Sequence, residues 1–415
     1  MDHTAEAFLS MINYTLHADG PKPMVYPDVV WMNLFHMAGK NALLPLLYDT
    51  LVEMKKEFDI PDEVMRFWKE NSMNSSIREY HKYFSLRKVL NEADERNITL
   101  VLFKGCVLAD LYPKYTLRCS CDTDIFVYDK DKDVAVQLLT DLGYEWNEEA
   151  SKEAVLVYRL KTTDHVIELH TCLWEDYMGP RIEKLTQLNL DRPDSLVEVT
   201  ACDITFTTLG FQQHLIYQLF HIIKHFSVQG ISVRYLVDIT LYVNRYFDEI
   251  NQQEFWKQLD YLRFGRFAEI FFSICIRYFG MSENIMEART ITDELEFLSL
   301  IEDMIQVGVL YEERTAKWQV LGIMTPYLVG KETYTKSKSG RTLKVLFPSR
   351  TSLPEQYAYG KRHIVLLPIA WAHKMINYAI KRSKNRREWY DAKEKLNMAE
   401  YRISLMNELG LIEEK

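Results

Sequence analysis

The chain has 415 residues, 47% hydrophobic and 26% charged, with 50 Lys and Arg against 59 Asp and Glu for a formal net charge of −9. That length and balance allow more than one core, so more than one domain is expected. The acidic balance excludes a protein that coats nucleic acid through a general basic surface, and leaves room for a local basic cleft.

The opening stretch "MDHTAEAFLSMINYTLHADG" has acids early and no positive segment leading into an apolar core. No secretory signal is read, and a cytoplasmic location is expected. From residue 27 to about 93, apolar residues recur at three and four, in "VVWMNLFHMAGKNALLPLLYDTL" and "VMRFWKENSMNSSIREYHKYFSLRKVLNEAD", which predicts helices. The texture changes at "NITLVLF", residues 97–103, a strand pattern ending at Lys104-Gly105, where glycine would permit a tight turn. The helical pattern "CVLADLY" follows and is stopped by Pro113.

After "RCSCDTD" comes the apolar strand "IFV", the polar turn "YDKDKD", and an amphipathic helix "DVAVQLLTDLGY" with Gly143 as its C-cap. "AVLVYRL" and "HVIELHTCLW" read as a hairpin joined by "KTTD". The order β-α-β-α-β-β predicts a small mixed sheet carrying helices on one face. From residue 207 to about 314 the pattern returns to helices, in "LGFQQHLIYQLFHIIKHF", "VRYLVDITLYVNRYF", "QEFWKQLDYLRFGRFAEIFFSICIRYF" and "DELEFLSLIEDMIQVGVL".

The C-terminal section holds a loop rich in Gly, Ser, Thr and Lys at 330–342, the turn "FPS" at 347–349, and two or three helices. Its most apolar stretch, "HIVLLPIAWAHKMINYAI" at 363–380, is too short and too polar to span a bilayer and reads as a buried helix. The basic run 381–395 is interrupted by acids and reads as a solvated helix face. The expected class is α+β: a small mixed sheet flanked by mainly helical segments, divided at 1–95, 96–195, 196–330 and 331–415. Six cysteines without a second pair at finger-like spacing to match Cys119 and Cys121 read as reduced thiols.

The chemistry concentrates around Asp122-Thr-Asp124. Residues i and i+2 of a strand share a face, so the two carboxylates would stand together, a costly arrangement unless a cation sits between them. A divalent metal is therefore expected, Mg2+ with Mn2+ as the alternative. Glu168, in "VIELH", would add a third carboxylate, with Val166 and His170 on its face. Taken singly, each acid also fits a turn cap, a solvated side chain or a partner for a nearby Lys or Arg.

His214, His221 and His225, separated by seven and four with Lys224 beside them, share a helix face, but a spacing of seven is too long for one zinc ion to touch all three. This face is expected to line a cleft together with Arg234 and Asp238, an i,i+4 pair on the next helix; an interhelical polar network is the other reading.

"VLFKGCVLADLYPKYTLRCSCDTDIFV", "VIELHTCLW" and "LFHIIKHF…GISVRYLVDIT" resemble a bacterial family of uncharacterised nucleotidyltransferases within the DNA polymerase beta-like nucleotidyltransferase superfamily. The resemblance runs from about residue 31 to the "LFPS" turn and the final helices. It implies that Asp122, Asp124 and Glu168 hold one or two Mg2+ ions, and that Lys104-Gly105 stands where the superfamily has a Gly-Ser or Gly-Gly turn approaching the triphosphate. The sequence departs from that pattern in lacking the Ser and in placing Gly105 17 positions before Asp122.

Lys104 and Arg118 are the cations expected to contact phosphate, Arg118 through its bidentate fork; the other reading is that each simply neutralises the acid cluster. His221, Lys224, His225 and Asp238 match pattern positions without assigned roles. The function expected is Mg2+-dependent transfer of a nucleotidyl group from a nucleoside triphosphate to a small-molecule, peptide, protein or RNA acceptor, with no membrane partner. A phosphotransferase on the same scaffold, or a non-catalytic nucleotide-binding regulator, is the alternative.

Overall fold

The structure is a computed structural model. It describes residues 1–17, 20–152, 154–174, 180–228, 230–287, 289–307, 363–384 and 400–412, together with 347, 350, 353, 357, 359 and 360. The 330–342 loop, residues 348–349 of the "FPS" turn and residues 385–395 of the basic run lie outside the described residues.

Helix α1 (His3–Leu16) starts where Asp2 accepts the Ala5 N–H at 2.8 Å. The apolar run that follows divides into α2 (Trp31–Lys40) and α3 (Leu44–Met54), because Ala42 takes φ 56° and turns the chain. Asn41, fully buried at this break, accepts the Val233 N–H at 2.7 Å and donates to the Met37 carbonyl at 2.9 Å. Helix α4 (Asp62–Glu95) opens behind Pro61 with two acids in its first turn, where the helix dipole favours them. Its inward stripe runs through Val64, Trp68, Tyr83, Leu86, Val89 and Ala93.

Strand β1 (Leu100–Phe103) leads into the short helix α5 (Gly105–Ala109), and β2 (Thr123–Val127) into α6 (Lys132–Asp141), past whose end Gly143 takes φ 83°. Then come β3 (Glu145–Trp146), the hairpin β4 (Val155–Leu160) and β5 (His165–His170), and α7 (Pro180–Leu188). The sheet does not stop at residue 195 as the sequence suggests. A second hairpin, β6 (Leu196–Ala201) and β7 (Ile204–Leu209), adds two strands, and Thr207 lies in β7 rather than at the start of a helix. Its two-residue turn, Cys202 and Asp203, has φ of 54° and 60° without the glycine that usually advertises such a turn.

The seven strands lie in the order β3-β4-β5-β2-β1-β7-β6. β1 runs antiparallel to β2 and parallel to β7, and β2 runs parallel to β5. Every residue of β1 and β2 is buried, as expected of strands covered on both faces. Helices α8 (Phe211–Val228), α9 (Arg234–Tyr246), α10 (Gln252–Leu262), α11 (Gly265–Phe279) and α12 (Glu294–Val307) follow. The long pattern at 253–279 breaks into α10 and α11 at Arg263, which takes φ 60°.

One apolar cluster runs from Ala5 to Ile412 and joins these helices to the sheet. The buried Arg402 carries residues 400–412 to α12, its Nη2 donating to both Asp303 carboxylate oxygens at 3.1 and 3.2 Å. The late apolar stretch does form a helix, α13 (Leu367–Lys384), but it is not buried as expected. Ala370 packs in a small separate cluster with Leu353 and Tyr357, whereas Ile369, Met375 and Ile376 are exposed. Among the described residues no helix is long and apolar enough to cross a membrane. All six cysteines are unbridged.

His165 opens β5 in full burial, its Nε2 2.9 Å from the Thr123 hydroxyl and its Nδ1 2.7 Å from the Tyr144 hydroxyl. Burial, with Lys82 adding, pushes its imidazole down to about 3. The unfolded chain therefore takes up this proton first as pH falls, so the stability is fully present above pH 6.5 and is lost between 6.5 and 3. Urea denaturation at pH 7.5 and 5.0 is expected to show a His165 contribution to the difference of roughly 2 kcal/mol, absent in His165→Gln.

Candidate functional site

Lys104, the residue after β1, takes φ 55° and ψ −107°, a region that side chains avoid. It is held there because its N–H donates at 2.8 Å to Nε2 of His214, a fully buried residue of α8. Burial, with Lys104 and Arg118 adding, pushes the His214 imidazole down to about 3, so it is neutral and can accept. The unusual backbone thus falls on the lysine and not on Gly105. A Cβ on Gly105 would meet Arg118 Nη1 at 3.6 Å and Ser120 Oγ at 3.7 Å, ordinary contacts, so no steric demand for glycine arises at this turn.

The parallel pairing of β2 with β5 sets Asp124 opposite Glu168, and the two-residue period adds His170 to the same face. Ligand atoms of Asp124, Glu168 and His170 lie within 4.8 Å of one another. His170 Nε2 stands 3.1 Å from Asp124 Oδ1 and 3.7 Å from Glu168 Oε2. Lys104 Nζ reaches the same Asp124 oxygen at 2.6 Å. Asp124 is buried while the Glu168 side chain is 34% exposed, so the cluster opens to solvent along Glu168.

Asp122 sits one residue before β2 and outside that three-residue group, but it feels the group's charge. Burial first, then Asp124 and Glu168, raise its carboxyl above the usual range, against the pull of Lys104 and Lys82. Burial also opposes ionisation of Asp124, but Lys104 and His170 outweigh it and hold that carboxyl low. For His170, burial opposes the charge and the bonds to Asp124 and Glu168 raise it. Helix α4 pins the approach to this strand: Glu79 Oε1 accepts the Ser120 N–H at 2.8 Å, and Lys82 bonds both Glu79 and the Ser120 hydroxyl.

Arg118 does not present a free fork. Its Nε and Nη2 both donate to Asp238 at 2.8 Å, and its Nη1 lies 3.5 Å from the Gly105 carbonyl. Tyr112 at 2.8 Å and Arg234 at 3.0 Å complete the shell of Asp238, all of it buried. Burial opposes the charge of Asp238, and Arg118 and Arg234 lower its pKa nonetheless. Arg234 Nε, also buried, has no hydrogen-bond partner.

Above Lys104, α8 presents His214, Tyr217, His221 and His225. Tyr217 lies with its ring 5.6 Å from Lys104 Nζ. His221 and His225 face each other, Nε2 to Nε2, at 2.9 Å, and both rings pack on Tyr235. Burial first, then Lys104, His225, Lys224 and Arg234, depress His221, which lies near the cations Lys104, Lys224 and Arg234. The expected residues thus fall into three groups: the acids with Lys104, the buried Arg118–Asp238–Arg234 network, and the histidine pair with Lys224.

A divalent cation fits the first group, where the Asp124 and Glu168 carboxylates, one partly open, converge beside an imidazole and Asp122 feels their charge. Sequence reasoning placed His170 on the Glu168 face but gave it no role, although "ELH" at i and i+2 was the signal. Nothing local announced Glu79, Lys82, Tyr112 or Tyr217, whose parts are set by long-range packing.

A model of a family described as uncharacterised nucleotidyltransferase matches residues 27–280. Among solved structures the chain is similar to ANT(2'')-Ia in complex with adenylyl-2''-tobramycin, at 13% identity and a TM-score of 0.32, over 43% of this chain and 94% of that one. The solution structure of the antibiotic-resistance factor ANT(2'')-Ia gives 13% and 0.32 over 45% and 90%. An antigenic nucleotidyltransferase-like protein from Paracoccidioides brasiliensis gives 15% and 0.30 over 51% and 96%. No curated protein matches the chain.

Asp238→Ala would strand Arg118 and Arg234 in a dry interior, and a loss of roughly 3–5 kcal/mol in guanidinium denaturation is expected. The double replacement Arg118→Met with Asp238→Leu should recover part of that loss, because it removes the charge of Arg118 with its partner and leaves Arg234 alone stranded.

Proposed function

We propose that this chain, which belongs to the uncharacterised nucleotidyltransferase family, moves a nucleoside monophosphate from a nucleoside triphosphate to a hydroxyl or phosphate acceptor, with release of pyrophosphate. The observation that carries the reading is the convergence of Asp124, Glu168 and His170 within 4.8 Å, beside Asp122 and Lys104. Asp122, Asp124 and Glu168 would hold a divalent cation, Mg2+ or Mn2+, with His170 orienting Asp124. Such a cation, when bound, neutralises the carboxylates toward the triphosphate and stabilises charge on the departing pyrophosphate.

The chain's own cations bind and orient the nucleotide. Lys104, Lys224 and Arg234 supply positive charge around His221, and Arg234 Nε, without a hydrogen-bond partner, is a buried donor for an anion. Arg118, its fork taken by Asp238, acts by holding the Gly105 carbonyl and the start of α9. His221, its imidazole pKa held low by burial and the nearby cations, faces His225 Nε2 to Nε2 at 2.9 Å and can exchange a proton with it along that contact.

The test uses ATP labelled at the α-phosphate or at the γ-phosphate, with Mg2+ or Mn2+, against a panel of acceptors. Incorporation from the α label alone is expected; incorporation from the γ label would mean phosphoryl transfer instead. Asp124→Asn is expected to lower incorporation by about two orders of magnitude or more, and EDTA should abolish it until metal is restored. Unchanged transfer by Asp124→Asn would remove the acidic cluster from the reaction.

A further inference from the structure

We propose that Lys104 is a stand-in cation, whose ammonium neutralises Asp124 until a divalent cation takes its place there. The inference rests on reading the acidic cluster as the metal site of a nucleotidyltransferase, and it adds a residue that competes for that site and sets its affinity.

The ion pair is short and dry: Nζ lies 2.6 Å from Asp124 Oδ1, with the two side chains 11% and 5% exposed. Asp124 cannot be left bare in such surroundings, because a buried carboxylate beside Asp122 and Glu168 costs several kcal/mol without a counter-charge. A positive group seated on it, as Lys104 is here, offsets that cost. Lys104 occupies the oxygen that also receives His170, so an ammonium and a divalent cation would contend for the same lone pairs. They would also repel each other at that distance.

The backbone favours an exchange confined to the side chain. His214 grips the Lys104 N–H, which fixes the main chain in its unusual φ and leaves a flexible four-carbon stem to swing. A path for the released ammonium is already in place. The rings of Phe103 and Tyr217 lie 5.4 and 5.6 Å from Nζ, and aromatic rings near a cation can accept it at their faces. Beyond Tyr217 along α8 lies His221, the residue on which Lys104, Lys224 and Arg234 all act, so the lysine would turn toward the side proposed for the phosphates.

Two measurements on the full-length chain test this. Limited acetylation with acetic anhydride, in EDTA and in saturating Mn2+, is quantified at Lys104 by peptide mass spectrometry, with the buried Lys82 as internal reference. Mn2+ binding is followed in parallel by electron paramagnetic resonance for the wild type, Lys104→Gln and Asp124→Asn. Lys104 acetylation is expected to rise about fivefold or more on Mn2+ binding while Lys82 stays constant, and Lys104→Gln should bind Mn2+ roughly tenfold tighter than the wild type.

Mn2+ binding that is lost in Asp124→Asn but leaves Lys104 acetylation unchanged would overturn the stand-in role and keep the metal site. A joint rise at Lys104 and Lys82 would mean general loosening and would also overturn it. Failure of both the wild type and Lys104→Gln to bind Mn2+ would overturn the metal reading together with this one.

Discussion

The crowding of three carboxylates at the joined ends of β1, β2 and β5 is the constraint around which the site is built. Asp124 and Glu168 are cross-strand neighbours, and Asp122 enters the same field from the residue before β2. Like charges at such range are tolerated only with positive partners. The chain provides them from three directions: Lys104 from the end of β1, His170 from the same strand as Glu168, and Lys82 from α4. Each partner is drawn from a different element, so satisfying the acids also fixes how those elements meet.

A second buried centre does comparable work for the helical half. Asp238 receives Arg118, Arg234 and Tyr112, which ties the loop before β2 to α9 and to the segment after α5. The two centres meet at the turn following β1. There His214 holds the main chain of Lys104, and Arg118 approaches the Gly105 carbonyl. Placing the strained residue between two neutralised networks keeps its geometry over-determined, as a backbone in that region requires.

Much of the sheet was legible because its rules are short-ranged. The hairpin of β4 and β5 followed from alternation around "KTTD", and "IFV" after the D-x-D announced a buried strand. The hairpin of β6 and β7 alternates as well, yet its turn is Cys202-Asp203, where no glycine or asparagine marks the positive φ, so the sheet was drawn too small. The break at Arg263 was hidden for the same reason. The apolar stretch at 363–380 misled differently: its composition promises burial, but burial depends on what packs against it, and among the described side chains of that helix only Ala370 is enclosed.

The sequence alone determined the local chemistry of this protein: a lysine-glycine pair closing an apolar strand, two aspartates one residue apart opening the next, and a glutamate within a hairpin strand. Those features depend on spacing of two to four residues, which backbone geometry converts directly into shared faces. The tertiary structure alone decided which charge answers which. Lys104 lies 20 residues from Asp124, and Arg118 120 residues from Asp238. The physical reason is that the strength of an ion pair depends on desolvation, and desolvation is a property of the packed interior that residue spacing does not contain.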